Sequence, residues 1–391
     1  KIYTLDPAFH IAQVMVIDEG HVLAVGNDSL LTHFKAREQL DAHGACVYPG
    51  FMDAHTHFSE HAFDAGKLNV RASASFDDMM QRVVTYASTC KDEWIQAYGW
   101  DQHDWADSRW PSADTLEKLF PDRPVFLLRA DGHAVLVNKK ALALTGMDTL
   151  AGKWMHGQET PQAGAGTLFE QDVETMEGRI PAHENHFDLV QLLADEQSHF
   201  LKFGITSIID CSVQHTGVEA YMQAYLQQRL QLRASIFLSG SDENKKRYLH
   251  HIPLQTDHLH IAGYKLFADG TLGSRSAAML EDYSDKPGFK GAMRMSRDSL
   301  LQWAQLLIQT PYQLAIHAIG DSANRMVLQV YSSVLSAQND RRWRIEHAQC
   351  VNAADRHLFA EKNILPSVQP VHALSDKAWV EERLGASRMP E

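Results

Sequence analysis

The sequence predicts an α/β protein built around a (β/α)8 barrel of the TIM type. From about residue 187 onward, short β-rich runs alternate with amphipathic helical stretches, which is typical of a parallel sheet covered by helices. Including one run near residue 50, seven runs are candidate barrel strands, whereas a closed barrel has eight. Several of these runs end in a histidine, at the end of the strand where barrels build their sites.

Residues 1–46 predict a small β-rich N-terminal domain, because three short runs there are rich in strand-forming residues. Residues 47–59 (VYPGFMDAHTHFS) contain the first barrel strand. Residues 60–186 are a long insert that mixes strand-like and helical segments, and we expect it to lie as a cap over the barrel mouth.

Residues 187–391 hold the remaining barrel strands. The strand-like runs there are 204–212, 232–240, 260–270, 313–321, 342–349 and 364–372. No later run fits an eighth strand, so the sequence predicts that this strand is missing from these residues.

Composition excludes several classes of partner. The 391 residues are 45% hydrophobic and 22% charged, with a net charge of −13. That charge argues against binding to nucleic acid or to an anionic membrane surface. No apolar run approaches the roughly 20 residues that span a bilayer. We expect a protein that acts on a small molecule, with a homo-oligomer left open.

The cysteines predict a reducing compartment. The 4 cysteines are scattered and form no CxxC pair, so we expect free thiols and a cytoplasmic location. The chain begins at Lys1 and not at methionine, which leaves a removed export signal open.

Histidines at strand ends predict a metal site. His55 and His57 are two positions apart, so a strand presents both imidazoles on one face, and imidazole suits zinc and similar ions. His317 and His347 end two later strands. A single histidine at a strand end is more often structural. However, a pair and two single histidines, all at strand ends on one edge of a barrel, favour a shared metal site.

Lys265 lies in an otherwise apolar strand, where a lysine is costly to bury unless it is paired or modified. One interpretation is an ion pair with a nearby aspartate. The other is a lysine whose lowered pKa lets it react with CO2 to form an anionic carbamate ligand. The strand pattern alone does not choose between them.

The order of these strands resembles the amidohydrolase superfamily. Finer motifs resemble its amidohydrolase-3-type subgroup, which is related to N-substituted formamide deformylases. They are YGWD at 98–101, RADGH at 129–133 with Asn138, KLFADG at 265–270, GSR at 273–275, HAIGD at 317–321 and RIEH at 344–347.

This resemblance implies one or two divalent metal ions, zinc above all, and a metal-activated water. His55 and His57 are expected to hold one ion, His317 and His347 the other, with carbamylated Lys265 between them. The implied reaction is hydrolysis of a C–N bond in an amide, formamide or cyclic amide.

The resemblance also implies further site residues. Trp100, His133 and Asp269 are expected to line the substrate pocket, with packing in a core left as an equal alternative for Trp100. The family's catalytic aspartate lies on the eighth strand, so the expected base falls beyond residue 391 and no catalytic residue is assigned here.

Two alternative functions stay open. One is a non-catalytic, regulatory protein that keeps the metal ligands. The other is deamination, which ranks lower because members that deaminate bases place a glutamate shortly after the fifth-strand histidine, and residues 318–321 (AIGD) contain none.

Overall fold

A computed structural model describes residues 1–130, 132, 134–148, 166–169, 171–180 and 188–389. The strands are β1 Ile2–Tyr3, β2 Ile11–Ala12, β3 Val14–Asp18, β4 His21–Gly26, β5 Phe51–Thr56, β6 Leu68–Asn69, β7 Ile95–Trp100, β8 Val125–Arg129, β9 Ala134–Val137, β10 Thr167–Phe169, β11 Ile205–Val213, β12 Arg233–Ser239, β13 Leu259–Phe267, β14 Gln313–Ala318, β15 Arg344–His347 and β16 Leu365–Ser367.

The α-helices of the described residues fall between these strands. They are Leu30–His33, Phe58–Asp64, Phe76–Thr89, Asp114–Leu119, Lys139–Leu144, Gln171–Glu177, Leu189–Lys202, His215–Leu226, Asp242–Tyr248, Arg297–Leu307, Asp321–Val334, His357–Glu361, His372–Ser375 and Val380–Leu384.

Seven of the described strands form one parallel sheet in the order β5-β11-β12-β13-β14-β15-β16, nearly closed into a barrel. The predicted parallel α/β architecture is confirmed, and the order along the sheet follows the order along the chain. The eighth strand stays a prediction. Because all these strands run the same way, their carboxyl ends meet at one edge of the sheet.

The barrel strands form where apolar runs can be buried on both faces. Almost all of β13 is buried, and Gly263 allows it to approach β14, since a Cβ there would lie 2.2 Å from the carbonyl oxygen of Gln313. The covering helix Arg297–Leu307 begins after Ser296, whose side chain accepts from the Ser299 amide. Its buried residues Leu300, Ala304 and Leu307 recur at helical spacing and face the sheet.

The insert contains its own sheet, in the order β10-β9-β8-β7-β6. The β6–β7 and β7–β8 pairs are parallel and the other two are antiparallel. Lys67 links the helix Phe58–Asp64 to the helix Gln171–Glu177, because its Nζ lies 2.7 Å from Asp64 and 2.8 Å from Glu177.

The N-terminal residues form two small antiparallel sheets, β1–β2 and β3–β4. Glu19 and Gly20 make the β3–β4 turn with φ values of 47° and 79°, the left-handed backbone that two-residue hairpin turns favour. Among the described residues, no helix combines the length and the apolar character that crossing a membrane requires.

Candidate metal centre

Four histidines converge at the carboxyl-end edge of the barrel sheet. His55 lies in β5, His57 follows it directly, His317 lies in β14 and His347 ends β15. The ring centroids of His55 and His57 are 5.5 Å apart, and the His347 centroid is 4.7 Å from those of both His55 and His317. His347 has a φ of 71°, an unusual backbone for a residue other than glycine and one that clusters at functional sites.

In two of these histidines, a hydrogen bond determines which ring nitrogen is available to a metal ion. Nδ1 of His55 lies 2.5 Å from Oε2 of Glu346, and Nδ1 of His347 lies 2.6 Å from Oε1 of Gln369. The Gln369 amide nitrogen donates to the carbonyl oxygen of Ser367, which leaves its oxygen for His347. Because these oxygens accept, each Nδ1 carries the proton, and each Nε2 keeps a lone pair.

The other two histidines differ in their surroundings. Nε2 of His317 donates to the carbonyl oxygen of Gly270 at 3.1 Å and lies 3.4 Å from a carboxylate oxygen of Asp269, so its Nδ1 keeps the lone pair. His57 is 38% exposed, and the Glu60 carboxylate lies 3.0 Å from its Nδ1. His57 is therefore the member of the set that faces solvent most.

Burial keeps three of the rings neutral. It lowers the pKa of His55 to about 4, although the hydrogen bond to Glu346 acts in the opposite direction. Burial also lowers the pKa of His317, and burial together with the neighbouring His317 lowers the pKa of His347 well below its ordinary value. Neutral imidazole is the form that binds metal, so these rings suit ligation at neutral pH.

Lys265 is 1% exposed, in the strand next to that of His317. Its Nζ has no hydrogen-bond partner among the described residues, and it lies 4.1 Å from the ring centroid of Phe267. No carboxylate of the described residues forms an ion pair with it. Burial lowers the pKa of Lys265, which favours the neutral, nucleophilic amine.

A second donor set lies beside the histidines. Single atoms of His55, Cys211 and Glu346 lie within 4.8 Å of one another, close enough for a metal ion. However, Glu346 already accepts from Arg344 with both oxygens, and burial raises the pKa of Cys211 to about 12, which keeps the thiol protonated. We therefore assign this set to the support of His55 and not to ligation.

Trp100 lies in the core of the insert. Its side chain is 0% exposed, it stacks on Trp105 with ring centroids 6.1 Å apart, and its indole nitrogen donates to the carbonyl oxygen of Leu127 at 2.7 Å. A side chain with no exposed surface packs in a core and does not line a pocket. The expectation that Trp100 lines the substrate pocket is therefore corrected to the core-packing alternative.

Asp269, also expected in the pocket, is 0% exposed. Its carboxylate accepts from the backbone amides of Ala278, Ile319 and Gly320 at 2.8–3.0 Å. These contacts fix two loops beside His317, so Asp269 positions backbone rather than substrate. His133 lies outside the described residues.

Three residues at the site were not assigned from the sequence: Arg344, Glu346 and Gln369. For the first two a signal was present, because the run RIEH places two charged residues in a predicted barrel strand that ends in His347. Gln369 offered no comparable signal, since a glutamine after a strand is common on protein surfaces.

Comparisons with known proteins identify the family of this chain. A profile described as "Amidohydrolase family" matches residues 38–391. The chain belongs to the amidohydrolase family. It is 30% identical over 418 residues to the protein LONG AFTER FAR-RED 3 of Arabidopsis thaliana, covering 99% of this chain and 70% of that protein. It is 26% identical over 386 residues to the N-substituted formamide deformylase of Arthrobacter pascens, covering 93% and 70%.

A solved structure is also similar to this chain. The crystal structure of an uncharacterized metal-dependent hydrolase from Pyrococcus horikoshii OT3 matches with a TM-score of 0.76 and 26% identity, covering 99% of this chain and 76% of that one. The family predicted from the sequence motifs is confirmed. The family and this neighbour support a hydrolase that uses a divalent metal.

Proposed function

We propose that this family member hydrolyses a C–N bond in an amide, formamide or cyclic amide with a metal-activated water. The observation that carries the proposal is the convergence of four histidine rings, together with a buried lysine amine on the strand next to that of His317 that lacks a hydrogen-bond partner among the described residues. The similarity to a formamide deformylase supports the bond type.

The buried polar atoms suit a pair of divalent ions. Nε2 of His55 is buried without a hydrogen-bond partner among the described residues, as is Nζ of Lys265. In this proposal His55 and His57 hold one ion, and His317 and His347 hold the other. Zinc is the proposed metal, since imidazole nitrogens are among its preferred ligands.

Lys265 is proposed to act as a carbamate between the two ions. The neutral amine attacks CO2, a C–N bond forms, one proton leaves to solvent, and the side chain gains a carboxylate. The burial that lowers the pKa of Lys265 raises the neutral fraction that reacts. The carbamate would then supply negative charge to a site whose other ligands are neutral imidazoles.

The chain's own residues orient this centre. The contacts to Glu346, Gln369 and the Gly270 carbonyl leave one ring nitrogen free on each of His55, His347 and His317. When bound, the ions would lower the pKa of a water and polarise the scissile carbonyl. The insert is proposed as a cap over the centre, with His133 as its candidate substrate contact.

Metal analysis with a substrate panel tests the proposal. We expect bound zinc in the purified protein and hydrolysis of at least one amide, formamide or cyclic amide, in a panel that also contains esters and lactones as C–O bond controls. Lys265→Ala should lose metal and activity, with partial rescue by short carboxylates, whereas Lys246→Ala, at an exposed lysine, should change neither.

Three other outcomes would contradict different parts of the proposal. Absence of bound metal after reconstitution with zinc and bicarbonate would refute the metal assignment. Bound metal without hydrolysis of any compound would favour the regulatory alternative. Ammonia release from purines or pyrimidines, with the amides inert, would favour deamination.

A further inference from the structure

Arg344 and Glu346 form a buried ion pair behind the ring of His55. They are two positions apart on β15, so both point to one face of the sheet, and they are 7% and 0% exposed. Nε of Arg344 donates to Oε1 of Glu346 at 2.6 Å, and its Nη2 donates to Oε2 at 2.8 Å. This two-point geometry fixes the orientation of the carboxylate.

The same carboxylate contacts His55. Oε2 of Glu346 accepts from Nδ1 of His55 at 2.5 Å, and the His55 side chain is 8% exposed. Nε2 of the same ring is buried without a hydrogen-bond partner among the described residues. The ring therefore has one nitrogen committed to the protein and the other directed at the centre.

Arg344 also reaches the strand that carries His55. Its Nη2 donates to the carbonyl oxygen of Ala54 at 2.8 Å and to Oγ of Ser367 at 3.1 Å. These two acceptors lie on β5 and β16, the first and last strands of the sheet order. No backbone pairing joins these end strands in the described part of the chain, so Arg344 links them from the barrel interior.

We propose that Glu346, held by Arg344, is a positioning residue that fixes the tautomer of His55 so that Nε2 faces the metal, while Arg344 ties β5 to β15 and β16. This inference rests on the proposed metal site and adds a role for the RIEH motif. A charged acceptor behind a ligating histidine orients the ring and strengthens it as a ligand.

The test uses the whole protein, both metal-free and zinc-loaded. Glu346→Gln keeps the size of the side chain but removes the charge that pairs with Arg344. In metal-free protein labelled with 15N-histidine, the His55 signals, assigned with His55→Gln, should show protonated Nδ1 in the unmodified protein and a mixture of tautomers in Glu346→Gln. Chelator competition should show zinc bound about 10–100-fold more weakly.

A control is available in a second ion pair, whose carboxylate is buried and whose guanidinium is partly exposed. Asp355 is 9% exposed and accepts from Nε of Arg325 at 2.9 Å, but the described residues show no contact between it and a histidine of the centre. Asp355→Asn therefore removes a comparable charge, and its zinc affinity and His55 signals should match those of the unmodified protein.

A second variant covers the case in which Glu346→Gln does not fold. Arg344→Lys keeps the positive charge but loses the two-point contact, and it should weaken zinc binding less than Arg344→Met. A protonated Nδ1 and unchanged zinc affinity in Glu346→Gln would overturn the proposal, as would equal affinities for Arg344→Lys and Arg344→Met. Zinc binding without hydrolysis would refute only the proposed reaction, because neither readout requires turnover.

Discussion

The buried amine of Lys265 should cost the metal-free protein stability. It is 1% exposed, and its Nζ has no hydrogen-bond partner among the described residues. Leaving a buried polar group unsatisfied costs about 1–3 kcal/mol. Methionine is an unbranched apolar side chain that fills irregular space in a core. We therefore expect metal-free Lys265→Met to unfold with a free energy about 1–3 kcal/mol higher than the unmodified protein.

The pH dependence of this gain has a definite sign. Burial lowers the pKa of Lys265 below its ordinary value of 10.5, so the unfolded chain binds more protons than the folded one between the two values. The stability of the unmodified protein therefore rises with pH through that window. The difference in unfolding free energy between Lys265→Met and the unmodified protein should therefore shrink as the pH approaches 10.5. What remains there is the contribution of the unsatisfied amine.

Denaturant unfolding of metal-stripped protein at neutral and at alkaline pH measures both effects. Lys246→Met is the control, because Lys246 is exposed and its replacement should stay within about 0.5 kcal/mol. Lys265→Met should also bind less zinc than the unmodified protein. A metal-free Lys265→Met that is less stable than the unmodified protein would refute the reasoning, since the amine would then make a stabilising contact.

Three further predictions concern packing and charge. Trp100→Phe removes the donor to the carbonyl oxygen of Leu127, so thermal unfolding should show a loss of about 1–3 kcal/mol while zinc content stays unchanged; a loss of zinc would place Trp100 at the centre. Gly320→Ala would put a Cβ 2.0 Å from the carbonyl oxygen of Ala278, so the variant should lose about 1–3 kcal/mol of unfolding free energy. Denaturant unfolding measures this loss, and an unchanged midpoint would contradict the close contact. Burial opposes ionisation of Glu346, but its hydrogen bonds from His55 and Arg344 prevail and lower its pKa from 4.5 to about 2. This carboxylate thus stabilises the metal-free fold above pH 4.5 and loses that effect as the pH falls toward 2, so acid should destabilise Glu346→Gln less steeply; equal slopes would contradict the pKa shift.

The sequence determined where the barrel strands end and which candidate metal ligands lie at those ends. The two-residue period of a strand is local, so His55 and His57 could be placed on one face before any contact was known. The same local rule identified Lys265 as an unusual residue in an apolar run. Parallel topology then follows from the alternation of strands and helices, which brings the ends of β5, β14 and β15 to one edge.

Short strands of the insert could not be predicted in the same way. The β9 strand covers Ala134–Val137 and the β10 strand Thr167–Phe169, and they pair with each other in antiparallel fashion. Residues 150–185 are rich in glycine and polar residues, a composition typical of loops. A three-residue strand carries too little pattern to recognise, because its stability comes from the partner strand and not from its own residues.

Tertiary structure alone decided what the polar and aromatic side chains face. Trp100 fits a pocket or a core equally well by composition, and the packing of Trp105 against it selected the core. Asp269 became a backbone acceptor because loops from two different strands bring their amides to it. The Glu346–His55 contact joins positions 291 residues apart, and the curvature of the nearly closed sheet is what brings these two side chains together.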